Sequence, residues 1–306
     1  MNGIYTDLAA ELRELEPDRE GISESDETDG EIEIKRIGIL TNEAAARIGK
    51  STGSYVTISA DSLIARPLEL FDEVSSRIAK ELKSMLRFNI SEGTVLVVGL
   101  GNREVTPDSL GPRVADQVFV TRHVKQYMPE AFDFSAPSVC SIVPGVLGIT
   151  GIETTDIVVG AVAAAHPDCV IAIDSLASRR AARISTTVQL SNAGISPGSG
   201  VGNKRADLSF SKLGVPVIAV GVPLVVHAST ILRDAVGYIA EDKGMRGCEE
   251  ELIRLVDDVS EKHLDNMIMT PKDIDRIVED MSSIVAKGIN IALYGSELPR
   301  IRALMA

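Results

Sequence analysis

Two hydrophobic periods alternate along this chain. Between Glu31 and Leu40 charged and isoleucine positions exchange one for one, the period-2 pattern of a half-exposed strand. After Pro67, Leu70, Phe71, Val74, Ile78, Leu82 and Met85 recur at helical spacing, which predicts a long amphipathic helix. Val95 to Val98 have no polar alternation, as expected of a strand covered on both faces in the parallel sheet of an α/β protein. Apolar runs recur at 139–143, 170–173 and 215–223, and TTVQL at 186–190 reads as a further strand. Helical stretches fall between them: one from about Gly111-Pro112 through Val114, Val118, Val120 and Val124, one from Asp156 to Ala165 that Thr154 or Thr155 caps, and one from about Ala228. GSYVTISA, 53–60, is a strand preceded by a short helix capped by Thr41, giving a smaller N-terminal β-α-β addition. The alternation predicts a doubly wound α/β fold, with a mostly parallel sheet and helices on both faces. From Glu249 the chain reads as helices, Pro271 opening the last, with residues 291–306 as a tail.

Charge changes this picture at one end. The net charge is −13, and eleven acidic against two basic side chains between residues 7 and 31 carry −9 of it. Such a composition buries too little apolar surface to order itself, so residues 8–30 are expected to form a mobile acidic arm ahead of a single domain over 31–290. The balance leaves no basic surface for direct nucleic-acid binding. No apolar run reaches the roughly 20 residues needed to cross a bilayer, and the first 35 residues lack a basic start and an apolar core. A cytoplasmic protein without a membrane partner is expected. Cys140, Cys169 and Cys248 are scattered without metal-binding spacing, as reduced thiols would be.

Candidate chemistry gathers at strand ends. After Val98 the chain turns through Gly99, Gly101 and Asn102 and reaches Asp108 just before a helix. A dinucleotide loop would need its third glycine at position 104, where Glu104 would instead oppose a pyrophosphate. The strand 170–173 repeats the arrangement and ends at Asp174, so two strands carry carboxylates to one sheet edge, where open α/β sheets place their ligands. Two close carboxylates cannot both ionise easily, which suits a general acid/base pair; turn formation or helix capping is the competing reading of each. His227 follows the apolar VPLVV and offers an alternative, a third ligand beside Asp108 and Asp174 for zinc or nickel. Otherwise no cofactor is expected. The other histidines, together with Asp156 and Asp207, read as surface, turn or helix-start residues. No G-x-S-x-G occurs, so a serine nucleophile lacks support. The loop NAGISPGSGVGNKR, with Gly198, Gly200, Gly202 and Asn203, is expected to line a substrate cleft because bare backbone lets a peptide approach closely, and Gly99, Gly101 and Asn102 are expected to line the same cleft.

Five motifs in order, VVGLGN, VTPDSLGP, VPGVLGITGIET, AIDSLASR and ISPGSGVGNKR, resemble the germination protease family of spore-forming bacteria over about Tyr5 to Gly288. The resemblance implies an endopeptidase of the forespore or spore-core cytoplasm that degrades small acid-soluble spore proteins. It also implies an inactive zymogen and a homotetramer. The aspartates that family treats as catalytic fall on Asp108 and Asp174. The core is also similar to the hydrogenase maturation proteases, through GLGNREVTPDSLG, and their recognition of a metal sustains the His227 alternative. A third reading is a non-enzymatic module that binds an anion in its glycine loops. The segment between the helix after Val226 and TPKDIDRIVEDM is shorter than in the family pattern. Family substrates are cut in sequences resembling T-E-F-A or T-E-I-A, and Thr6-Asp7-Leu8-Ala9 follows that pattern. Residues 1–7 are therefore expected to be a propeptide cleaved between Asp7 and Leu8, against the competing reading of a simple helix start.

Overall fold

The computed structural model describes residues 5–86, 92–132, 134–196, 207–242, 249–264 and 267–305. Its strands are β1 (Ile22–Asp29), β2 (Ile32–Ile39), β3 (Gly53–Ser59), β4 (Thr94–Gly99), β5 (Ser138–Ile142), β6 (Cys169–Ser178), β7 (Thr187–Ser191), β8 (Val217–His227) and β9 (Ile268–Met269). Its helices are α1 (Ala9–Leu15), α2 (Asn42–Ile48), α3 (Leu68–Met85), α4 (Leu110–Gln117), α5 (Arg122–Tyr127), α6 (Leu147–Thr150), α7 (Thr154–Ala165), α8 (Phe210–Leu213), α9 (Ala228–Asp242), α10 (Glu249–His263), α11 (Ile274–Tyr294) and α12 (Leu298–Met305). The strands form one sheet in the order β1-β2-β3-β7-β8-β6-β4-β5, with β9 against β8.

The α/β class is as expected, but the sheet has two characters. Strands β8, β6, β4 and β5 are parallel, whereas β1, β2, β3 and β7 continue the sheet antiparallel as far as β8. The parallel pairing expected of most strands is thus confined to these four, of which β4, β8 and the first half of β6 are continuously apolar. Those four need cover on both sides. Val95 and Val97 of β4 face the layer of α3, α4 and α11, while Leu96 and Val98 face the layer of α7 and α8. In α3 the spaced apolar side chains Leu70, Val74, Ile78 and Leu82 are buried, each worth about 1.5–3 kcal/mol relative to exposure. Gly288 of α11 lets that helix approach, since a Cβ there would stand 2.7 Å from Ile78 Cγ2.

Four expectations are corrected. The acidic span is ordered: β1 pairs with β2 along its length, and its carboxylates meet arginines, Glu24 with Arg13, Glu27 with Arg36 and Arg77, and Asp29 with Arg77. Composition counted the charges but not the cations that a neighbouring strand and helix place beside them. The helix expected through Val124 stops at Gln117, where Val118 turns extended, and α5 starts only at Arg122. Residue 291 begins no tail, because α11 runs to Tyr294 and Ile301 of α12 is fully buried in the main core. Thr154 and Thr155 lie inside α7, whose N-cap is Glu153, and the Thr154 hydroxyl donates to Gly145 O instead. Thr41 caps α2 as read, accepting from Ala44 N–H at 3.2 Å.

Candidate active site

Asp108 is held by the loop that leaves β4. Leu100 N–H donates to Ile173 O of β6 at 2.8 Å, which ties the loop beside the residue that precedes Asp174. Gly101 then takes φ +108°, where a Cβ would collide with the Asp108 carbonyl oxygen. Asn102 N–H donates to Asp108 Oδ2 at 2.8 Å, and its own side chain accepts from Glu104 N–H. The single 3-10 turn Thr106–Asp108 packs on β6 and β8, leaving Asp108 half-buried. Gly99 lies against the Gly111 carbonyl of α4, so it too serves close packing. Gly101 and Asn102 thus hold Asp108 in place, and Gly99 packs the start of the loop against α4.

Asp174 lies within a strand, not at its end. Its predecessor Ile173 pairs with Gly99, the last residue of β4, so Asp174 is the first β6 residue to outrun that neighbour, and on the other side it still pairs with Gly221 of β8. The sequence break after Ile173 marked the end of the apolar run; pairing with β8 carries the strand to Ser178. Asp174 is only 4% exposed, and Oδ1 accepts from Ser175 N–H at 2.9 Å.

Asp174 opens onto a cavity of about 280 Å³ whose wall includes Asp7, Lys50, Gln189, Asp207 and Gly221. Gln189 pairs with Gly221 from β7 as Asp174 does from β6, so Gln189 and Asp174 share one face, with the Leu176 side chain lying over Gly221 between them. Lys50 arrives because Gly49 ends α2 in the left-handed conformation. Burial pushes the Lys50 ammonium below the usual lysine range, and the Asp7 carboxylate opposes that shift. Burial pushes the Tyr55 phenol, also on the wall, up to about 12, keeping it a neutral donor. Asp108 is not among the residues that line this cavity.

The N-terminal segment borders the cavity through Asp7. Asp7 N–H donates to Ala177 O at 2.8 Å, and Ala177 N–H donates back to Asp7 Oδ2 at 2.9 Å. Gln189 Nε2 donates to Asp7 O at 3.1 Å, and its Oε1 accepts from Ala9 N–H at 2.7 Å. Leu8, Ala9, Ala10 and Glu11 are fully buried.

The remaining expectations divide. His227 ends β8, is 4% exposed, and stacks on Tyr5 with ring centroids 4.1 Å apart. Among the described residues no group of three His, Cys, Asp or Glu side chains is arranged to hold a metal ion, so the Asp108, Asp174 and His227 set is not assembled. In the glycine loop, Gly194 to Ser196 line the cavity, while Gly198, Gly200, Gly202 and Asn203 lie outside the described residues. Lys50 and Gln189 were missed because a lysine after a helix and a glutamine in a strand are ordinary; only the fold brings them together. Asp207, read as a turn residue, reaches the same wall.

An α/β sheet in which Asp174 opens onto a cavity bordered by the chain's own N-terminal segment is an arrangement suited to a peptidase. A family profile described as germination protease matches residues 3–251. The germination protease of Caldanaerobacter subterraneus is 44% identical, covering 95% of this chain and 94% of its own. That of Clostridium acetobutylicum is 42% identical with 96% of each covered, and that of Bacillus subtilis 38% identical with 95% and 93% covered. This chain belongs to the germination protease family. Alignment with the Bacillus protein runs over 344 positions, so that relative carries residues the present 306 lack.

Proposed function

We propose that this chain is a self-processing endopeptidase that begins the breakdown of small acid-soluble spore proteins at germination, with Asp108 and Asp174 as its acid/base pair. The observation that carries the reading is the seat of Thr6-Asp7-Leu8-Ala9: a sequence patterned like the family's substrates lies against the cavity that Asp174 opens onto. Bound in this way the segment competes with substrate at the high effective concentration of a tethered ligand, which holds the enzyme silent. In the cutting step a water oxygen adds to the Asp7 carbonyl carbon while one carboxylate takes the water's proton. The protonated carboxyl then gives its proton to the Leu8 nitrogen as the C–N bond breaks. The pairs of Glu11 and Glu14 with Arg180 and Arg183 anchor the segment, and a fall in pH is the trigger in this reading. The homotetramer implied by the family belongs to the same proposal.

The test is N-terminal sequencing after incubation at about pH 5, close to carboxylate titration. Leu8 should become the new N-terminus, and Asp108→Asn and Asp174→Asn should each stop its appearance with the fold intact. An intact Met1 in a chain that nonetheless digests substrate, or normal processing by either variant, defeats the reading.

A further inference from the structure

Gln189 makes two hydrogen bonds that bracket one residue of the N-terminal segment. Its Nε2 donates to Asp7 O at 3.1 Å and its Oε1 accepts from Ala9 N–H at 2.7 Å, so the amide spans the peptide bond between Asp7 and Leu8 and the residue after it. The side chain is 7% exposed, which removes competing water from both bonds. Strand pairing fixes its place: Gln189 and Asp174 both pair with Gly221, and side chains of laterally paired residues project from the same face of a sheet. With no side chain at Gly221, the Leu176 side chain lies over that position, 2.6 Å from where a Cβ would stand, and Gln189, Leu176 and Asp174 all line the cavity. A primary amide is suited to this seat because it carries a donor and an acceptor at fixed separation, matching the C=O and N–H that an extended peptide presents on one edge.

Resting on the reading of Asp7-Leu8 as the chain's own cleavage site, we infer that Gln189 holds the substrate main chain across the cut bond, and that its Nε2 donates to the carbonyl oxygen that becomes the oxyanion. Water addition moves the π electron pair of that carbonyl onto its oxygen, where a positioned N–H donor is worth more than in the ground state. The carbonyl oxygen that Gln189 touches is the one whose charge grows. The competing role is local: Ala9 opens α1 and its N–H has no partner within the helix, so Gln189 would serve only as an anchor that caps it.

The two roles predict opposite signs in the full-length chain. Gln189→Leu removes both bonds, and hydrogen exchange at the Ala9 amide should quicken in either case. A residue acting on the cut bond makes self-cleavage slower, by about 10²- to 10³-fold, the usual cost of one oxyanion donor. A mere anchor makes it faster or leaves it unchanged, because the segment is released. Gln189→Glu separates the two atoms, since an ionised carboxylate still accepts from Ala9 N–H but cannot donate: exchange at Ala9 should stay within a few-fold of wild type while cleavage slows as in Gln189→Leu. Appearance of the Leu8 terminus, followed by mass, and exchange at Ala9 are read on the same samples, with melting temperature checking the fold. Unchanged or faster cleavage in either folded variant overturns the inference. Failure of the wild-type chain to produce Leu8 at all overturns the underlying reading, and is seen before any variant is compared.

Discussion

The carboxylate of Glu11 closes on the main chain of Arg179, Oε2 accepting from Arg179 N–H at 2.6 Å. Its Oε1 takes Arg180 N–H at 2.9 Å and the Thr6 hydroxyl donates to Oε2 at 2.5 Å. One buried side chain of the N-terminal segment thus satisfies two backbone donors where the chain leaves β6. Removing it takes the acceptor from both, and a donor left without a partner costs about 1–3 kcal/mol when buried and less where water reaches it, as at the exposed Arg180. Glu11→Ala should therefore weaken docking of the segment by about 2–4 kcal/mol. Exchange at Leu8 to Leu12 should rise by orders of magnitude while exchange in β4 stays as in wild type. Equal protection in the two proteins would show that Glu11 does not hold the segment.

A second prediction concerns the loop that carries Asp108. At Gly101 the backbone has φ +108°, and a Cβ would strike the Asp108 carbonyl and stand 3.0 Å from Oδ1. Gly101→Ala therefore has to move the turn that presents the carboxylate. Displacement of a reacting group by about 1 Å costs on the order of a hundredfold in rate, so activity should fall at least that far. Gly148→Ala is the control, because nothing lies within 4 Å of its Cβ position. Retained activity in Gly101→Ala would mean that the position of Asp108 is unimportant.

What the sequence disclosed and what it hid follow from the range of the forces concerned. The buried strand Val95–Val98, the amphipathic helix ending at Met85 and the cap at Thr41 are local patterns, and each appears where periodicity places it. The ends of β6 are not local. Asp174 was read as the end of a strand because apolar residues stop there, yet β8 continues to pair with β6 for four more residues. The acidic segment misled for a similar reason, since Arg36 and Arg77, distant in sequence, sit against its carboxylates. Asp108 and Asp174 could be singled out by their place after apolar runs. Gln189, 182 residues from Asp7, could not.

The last prediction turns on Lys50. Burial lowers its pKa, and the attraction of Asp7 only partly restores it, so the folded state holds this proton less tightly than the unfolded chain. The linkage has a definite sign. Between the folded pKa and the unfolded value of about 10.4, the unfolded chain binds more protons, and stability rises with pH. Below the folded pKa both states are protonated and the full penalty of the buried charge is present. Lys50→Met keeps the length and apolar stem of the side chain without the ammonium, so its stability lacks this dependence. The difference in unfolding free energy, variant minus wild type, should fall across a series from pH 7 to 10.5 as wild type gains. Urea midpoints across that series measure it, with buffers of equal ionic strength so that surface charges are screened alike. A difference that grows with pH would mean that the Asp7 attraction outweighs burial and that Lys50 is held as a charged partner of the N-terminal segment.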